Sequence, residues 1–260
     1  MGKIAFDLKG RVALVTGAGQ GVGRRLALTL ASHNAKVAVN DFEIDRAKSV
    51  VAEIEAEGGT ALAVQADVGD AAGVQAMVEK IEGDLGPVDI LVNNAGNAGP
   101  EGFSTVNFWQ SDPADWDRYF HVNLKGVMTC CRMVTPGMVA RGYGRIVTIV
   151  SDAGRVGLPT MDAYAAAKAG AAGFSRSLAK GVGRYGITVN TISLSNMSKT
   201  ESPPTEDEAA ARKPLLREYI VRRQGFPMDV APVVLLLASE ESSWITGQNY
   251  PVNGGYALSL

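Results

Sequence analysis

Apolar positions along the chain follow two alternating rhythms. Short β-branched runs such as Val12-Ala13-Leu14-Val15 and Ile146-Val147-Thr148-Ile149-Val150 are apolar at nearly every position, as in strands covered on both faces. Between them lie Ala-rich stretches whose apolar residues recur at three- and four-residue spacing, the pattern of amphipathic helices. From Arg11 onward the strands predicted are Val12 to Val15, Lys36 to Asn40, Ala61 to Gln65, Ile90 to Val92, Arg145 to Val150, Thr188 to Ile192 and Gln248 to Val252. Helices are predicted over Val22 to Ser32, Ile44 to Ala56, Ala71 to Glu82, Ala114 to Met138, Ala163 to Val182 and Val230 to Ala238. Strand-helix alternation of this kind builds an α/β, doubly wound parallel sheet of seven strands with helices on both faces and right-handed crossovers. Two stretches break the rhythm, Asn97 to Pro113 and Leu194 to Phe226, and both follow strands where ligands enter such a sheet. They are the candidate substrate loops.

Composition narrows this picture. The 260 residues are 46% hydrophobic and 20% charged, enough to build a large core. No Pro/Gly/Ser-rich linker divides them, so residues 1–260 read as one domain. A formal net charge of -2 gives no electrostatic footprint for nucleic acid or for an anionic membrane surface, which leaves a small molecule as the expected partner. The two cysteines, Cys130 and Cys131, are adjacent within a predicted helix and badly placed for an ordinary disulfide, as expected in a reducing compartment. The stretch Met1 to Asp7 lacks the apolar core of a signal peptide, and no apolar run approaches the ~20 residues that span a bilayer. A cytoplasmic location follows.

The first strand runs into Thr16-Gly17-Ala18-Gly19-Gln20-Gly21-Val22-Gly23 and then a helix. Glycines here let the backbone turn tightly and approach a pyrophosphate, with the helix N-terminus facing its charge. A Gly-rich turn also serves plain strand-to-helix connections, so its context matters. The second strand ends in Asn40-Asp41, which puts a carboxylate about 20 residues beyond the loop, where it can accept hydrogen bonds from an adenosine ribose. The alternative for Asp41 is a cap on the following helix. A 2'-phosphate would meet like charge at Asp41, and Gln20 offers it no cation, so NAD is expected over NADP. Arg24 and Arg25 lie inside the helix, solvated or pairing locally. Together these features mark a Rossmann-type cofactor domain.

Tyr164-Ala165-Ala166-Ala167-Lys168 places a phenol and an ammonium four residues apart, on one helical face. A phenol of pKa ~10 is a poor base at neutral pH, but each unit of lowering needs only ~1.4 kcal/mol. A neighbouring lysine and an oxidised nicotinamide can supply it. Such pairs are common on exposed helices; position distinguishes this one. Ser151, thirteen residues earlier, sits just past a predicted strand, at the ligand side, either as a chemical group or as a turn cap.

At this point the chain resembles the short-chain dehydrogenase/reductase family over nearly its whole length. The family's glycine loop corresponds to Thr16 through Gly23, its Asp-Val beside the adenine to Asp67-Val68, and its Asn-Asn-Ala-Gly to Asn93-Asn94-Ala95-Gly96. Its catalytic Asn, Ser, Tyr and Lys fall on Asn123, Ser151, Tyr164 and Lys168, and its closing segment on Ile245-Thr246-Gly247-Gln248 and Val252-Asn253-Gly254-Gly255. The resemblance implies that Ser151 polarises the substrate oxygen, Tyr164 exchanges its proton, Lys168 binds the nicotinamide ribose and lowers the tyrosine pKa, and Asn123 supports a water relay. It implies a cofactor held by Gly17, Gln20, Gly21, Val22, Gly23, Asp41, Asp67, Val68, Asn94, Ala95, Gly96, Tyr164, Lys168 and Met197. It also implies an NAD-dependent interconversion of a secondary alcohol and a ketone in a homotetramer.

The chain departs from that pattern after the sixth strand, where the family's Pro-Gly turn is replaced by Ser193-Leu194-Ser195-Asn196-Met197 and its threonine falls nearest Lys199. The polar segment Glu201 to Glu208 and a helix predicted over Ala209 to Val221 resemble a mobile lid. Phe103, Phe108 and Trp109 in the other loop either face an apolar or ring-shaped substrate or pack against the lid or a second subunit. Asp152 is expected to face away from the chemistry, because successive extended residues point to opposite sides. Other readings are a 3-oxoacyl thioester reductase, a non-catalytic NAD-binding scaffold or sensor, and a sugar-nucleotide epimerase or dehydratase. A metal site is not expected, because His33 and His121 are the only histidines and no Cys/His cluster exists.

Overall fold

The computed structural model describes residues 6–96, 102, 103, 106–202 and 204–258. Its strands are β1 (Val12–Val15), β2 (Lys36–Asp41), β3 (Thr60–Gln65), β4 (Val88–Asn93), β5 (Gly144–Ser151), β6 (Ile187–Leu194) and β7 (Asn249–Val252). They form one seven-stranded sheet in the order β3-β2-β1-β4-β5-β6-β7, with every pairing parallel. The helices are α1 (Gly21–Ser32), α2 (Ile44–Ala56), α3 (Ala71–Asp84), α4 (Asp117–Phe120), α5 (Val127–Arg141), α6 (Ala153–Val156), α7 (Asp162–Val182), α8 (Glu206–Leu216) and α9 (Pro227–Ala238). Alternate residues of each strand serve opposite faces. Ala13, Val15, Ile90 and Val92 join α1, α2 and α9 in one core, while Val12, Leu14, Val88 and Leu91 join α3, α5 and α7 in the other. The sheet is therefore covered on both sides, as its near-continuous apolar strands require. Because the chain reverses its direction of travel across the sheet between β1 and β4, a crevice opens beyond their carboxyl ends.

The structure corrects some expected boundaries. The helix expected over Ala114 to Met138 is interrupted: α4 widens into a π-helical turn over His121–Gly126 before α5 begins at Val127. The lid helix spans Glu206–Leu216 instead of Ala209 to Val221, since Glu206 and Asp207 favour the positive N-terminal end of a helix. The last helix starts three residues earlier than Val230, at Pro227, whose fixed φ and missing N–H suit a first turn. Gln248 lies just outside β7, its carbonyl accepting from Thr191 N at 2.9 Å. Met1 to Ala5, most of the Asn97 to Thr105 stretch and Pro203 fall outside the described residues. None of the described helices is long and apolar enough to cross a membrane.

Candidate active site

The crevice begins at the glycine loop. Gly17 and Gly21 have φ of 61° and 57°, a region that side-chain-bearing residues rarely enter. Gly23 is packed so closely that a Cβ would meet the Gly17 carbonyl at 2.2 Å and Asn94 Nδ2 at 2.4 Å. The loop is latched to the end of β4: Thr16 Oγ1 accepts from Asn94 N at 3.1 Å and Ala95 N at 3.0 Å. In return Asn94 Nδ2 donates to Thr16 O at 3.0 Å and Gly17 O at 2.9 Å. Asp41, buried at the end of β2, accepts from Gly19 N at 3.0 Å and from Glu43 N at 3.0 Å. Its carboxylate thus stands against the loop and is not the N-cap of α2, which is Glu43. A Cβ on Gly19 would strike that carboxylate at 2.7 Å and Arg46 at 2.5 Å. This bare backbone cradle with an acid at its rim suits a dinucleotide. A crevice of about 640 Å³ lies over it, lined by Gly19, Gln20, Gly21, Arg24, Lys199 and Pro227. Arg24 and Arg25 pair with Glu53 and Glu201.

At the far wall, Asp67 accepts from Gly69 N at 2.9 Å and pairs with His121 Nε2 at 3.0 Å. Burial pushes the Asp67 carboxyl up, but His121, the Gly69 N–H and Lys125 outweigh it and hold the group below its ordinary range. Val68 packs on Gly126, where a Cβ would meet it at 2.6 Å. The Asp67-Val68-Gly69 turn is therefore moulded to the π-helical turn that carries Asn123.

The expected catalytic residues come from three elements and converge beyond β4 and β5. Ser151 ends β5, and its hydroxyl accepts from Ala153 N at 3.1 Å and is hydrogen-bonded to the Tyr164 hydroxyl. Tyr164 and Lys168 share the inner face of α7, with Nζ 5.9 Å from the phenol ring centroid. Lys168 is buried and donates to Ile149 O at 3.0 Å. Asn123 is buried in the π turn, and its Nδ2 donates to the carbonyl four residues back, Tyr119 O, at 2.9 Å. A Cβ on Gly96 would lie 2.7 Å from Lys168 Nζ and 2.8 Å from Asn123 Oδ1, so both atoms reach one point beside Gly96. Loss of hydration lowers Lys168 to about 8. The same burial raises Tyr164, against which the Ser151 hydrogen bond pulls down.

Other side chains frame the phenol. Phe103 meets the Tyr164 ring edge-on at 5.0 Å, and Tyr119, which sequence pattern did not single out, does so at 6.3 Å. Phe108 stacks on Trp116 at 5.2 Å, whereas Trp109 is 80% exposed. Asp152 faces away, as expected, but for another reason: its backbone is already helical, and it is held by Arg155 at 2.9 Å and Asn253 at 2.7 Å. His33 caps the C-terminal end of α1.

Comparison with known proteins places this geometry. Residues 17–257 match a family model described as enoyl-(acyl carrier protein) reductase. The chain is 37% identical over 249 residues to a 3-oxoacyl-[acyl-carrier-protein] reductase of Staphylococcus epidermidis, covering 94% of this chain and 97% of the relative. It is 37% identical over 255 residues to a (2S)-[(R)-hydroxy(phenyl)methyl]succinyl-CoA dehydrogenase subunit of Thauera aromatica, covering 97% and 99%. Among solved structures it is similar to a gluconate 5-dehydrogenase of Burkholderia cenocepacia in complex with NADP and tartrate, with TM-score 0.88, 31% identity and 98% of each chain covered. It is also similar to a short-chain type dehydrogenase/reductase of Mycobacterium marinum, with TM-score 0.87, 30% identity and 98% of each chain covered.

Proposed function

Because the chain belongs to the short-chain dehydrogenase/reductase family, we propose that it is an NAD-dependent oxidoreductase interconverting a secondary alcohol and a ketone, with Tyr164 as the proton-transferring group. The observation that carries this reading is the convergence of Tyr164, Lys168 and Asn123 beside Gly96, next to Ala95, which packs against Gly17 of the glycine loop, with Ser151 at the end of β5. The loop, Asp41, Asp67 and the Asn94 to Gly96 turn would hold the dinucleotide, whose nicotinamide would supply or accept the hydride. Ser151 holds and polarises the substrate oxygen through its hydroxyl. Tyr164, hydrogen-bonded to it, gives a proton to that oxygen in reduction and takes one in oxidation. A charged Lys168 beside the phenol lowers the cost of the phenolate, and Asn123, beside Nζ, lies on the route by which water resupplies the proton.

Asp41 supports NAD, since its carboxylate lies where a 2'-phosphate would bring like charge. A second reading narrows the substrate: two relatives are named for acyl thioesters, one on a carrier protein and one on coenzyme A, so a 3-oxoacyl thioester is the alternative to a simple ketone. One domain carries all of this, in a cytoplasmic homotetramer whose Cys130 and Cys131 thiols stay buried and reduced. The test combines two measurements. Tyr164→Phe should lower turnover by at least about 10³-fold, the upper part of the range for a proton-transfer group, while its NADH fluorescence titration matches wild type. Wild-type kcat/KM should favour NAD over NADP across a panel of secondary alcohols, ketones and 3-oxoacyl thioesters. Full turnover by Tyr164→Phe would remove the proton role, and a preference for NADP would overturn the cofactor.

A further inference from the structure

The turn after β6, where the chain abandons the family's Pro-Gly, occupies a telling place. Leu194 pairs in register with Ser151, and Asp152 N donates to Leu194 O at 2.9 Å. Five residues later, the Lys199 carbonyl stands 3.8 Å from where a Cβ on Gly21 would sit. Residues 195–198 therefore run from the substrate-polarising serine to the glycine loop, along the crevice edge between the site of chemistry and the site of the pyrophosphate. On the cofactor reading above, that edge would border the nicotinamide half of the dinucleotide.

A proline would restrict this turn by its own ring. Ser195-Asn196 has no such internal restraint, and the structure supplies it from the chain returning out of the lid. Tyr219 Oη accepts from Asn196 N at 3.2 Å, and its one proton is available to Ser195 Oγ at 2.6 Å. Gln224 Nε2 donates to Asn196 Oδ1 at 2.8 Å, and Ser198 N donates to Gly225 O at 2.8 Å. Gly225 packs closely on Met197, a Cβ there lying 2.6 Å from Sδ. Tyr219 is itself fixed: it is 4% exposed, its ring lies 5.2 Å from that of Tyr256, and Gly254 closes against it. A buried, immobilised phenol that spends its hydroxyl on two successive residues of one turn is a clamp on that turn.

We propose that Tyr219 is a positioning residue for the cofactor: through Ser195 and Asn196 it fixes the 195–197 turn and so sets how tightly the nicotinamide half is held. This rests on the cofactor reading above, and binding alone tests it, without a substrate. NADH affinity is measured by fluorescence and the affinity of ADP-ribose, which lacks the nicotinamide, by calorimetry. Wild type, Tyr219→Phe, Ser195→Ala and the double variant are compared. Each single variant should bind NADH about tenfold more weakly, the loss expected from one buried hydrogen bond. ADP-ribose should stay within about twofold, and the double variant should be no worse than Tyr219→Phe alone, since the contact Ser195→Ala removes is one of the two that Tyr219→Phe removes. Unchanged NADH affinity, an equal loss for both nucleotides, or additive losses would each overturn the clamp. Ser195→Ala removes the same bond from its half-buried partner, so the test survives if Tyr219→Phe does not fold. Wild-type protein that binds neither nucleotide would instead remove the cofactor reading.

Discussion

At the scale of single residues, the cost of the site is concentrated in Lys168. An ammonium stripped of water prefers to be neutral, and burial lowers this one from 10.5 to about 8. Between those values the folded chain has shed a proton that the unfolded chain still holds, so stability rises as pH rises from about 8 to 10.5. Below about 8 the penalty is fully present. Lys168→Met should therefore stabilise the cofactor-free protein at pH 7. The gain, after loss of the hydrogen bond to Ile149 O, is about 1–3 kcal/mol and should vanish near pH 10.5. Chemical denaturation across that range checks it, and a gain independent of pH would show that packing, not charge, is responsible. The position of this residue was legible in the sequence, because a helix fixes what faces what at four-residue spacing. Its partners were not. That Lys168 Nζ and Asn123 Oδ1 meet beside Gly96 is a matter of three segments brought together by the fold, which no local pattern records.

Whole elements were easiest to read where one period ran without interruption. The expected Ile44 to Ala56 helix is α2 as it stands, and Asp70 starts α3 by accepting from Ala72 N and Gly73 N at 3.2 and 3.1 Å. The reading failed over Ala114 to Met138, because a π turn inserts its extra residue without breaking the apolar pattern enough to be noticed. The turn is locked from outside as well as within. A Cβ on Gly69 would meet the His121 ring at 2.2 Å, and that ring is held by Asp67 at 3.0 Å. Gly69→Ala must therefore either move the ring off Asp67 or push the strand end away from the π turn. We expect a loss of about 1–3 kcal/mol, as for overpacking elsewhere, with much of it recovered in Gly69→Ala/His121→Ala, where the ring is gone. Thermal unfolding of the four proteins in this cycle tests it; strictly additive losses would mean that Gly69 is needed for its backbone and not for the space it leaves.

Across the molecule, the seven-stranded parallel sheet was foreseen because buried strands, crossover helices and a glycine loop leave few topologies, while its strand order came from the structure. What escaped sequence reasoning is how the two flanks of the crevice are tied. Arg25, in α1 beside the glycine loop, was expected to be solvated or paired locally, yet its bidentate partner is Glu201, which follows β6 from the opposite half of the sheet. Because 176 residues separate the two, nothing in either neighbourhood announces the pair. Both side chains are partly exposed, at 22% and 33%, so the pair adds little to folding, roughly 0.2–1 kcal/mol. Glu201 belongs to the lining of the crevice above Gly19, Gln20 and Gly21, so the pair joins that lining to α1 across the crevice from the glycine loop. If this crevice holds the dinucleotide, as proposed, its release would require the pair to open, and weakening the pair should change departure more than arrival. Glu201→Gln keeps the shape and removes the charge. Its NADH dissociation rate, read by stopped-flow displacement, should rise by up to about fivefold, the kinetic equivalent of the roughly 1 kcal/mol at the upper end of what such pairs contribute. The unfolding temperature should move by no more than about 2 °C. The effect should shrink as salt rises, because screening already weakens the wild-type pair. An unchanged dissociation rate at low salt would leave Arg25 and Glu201 as a surface pair with no part in holding the cofactor.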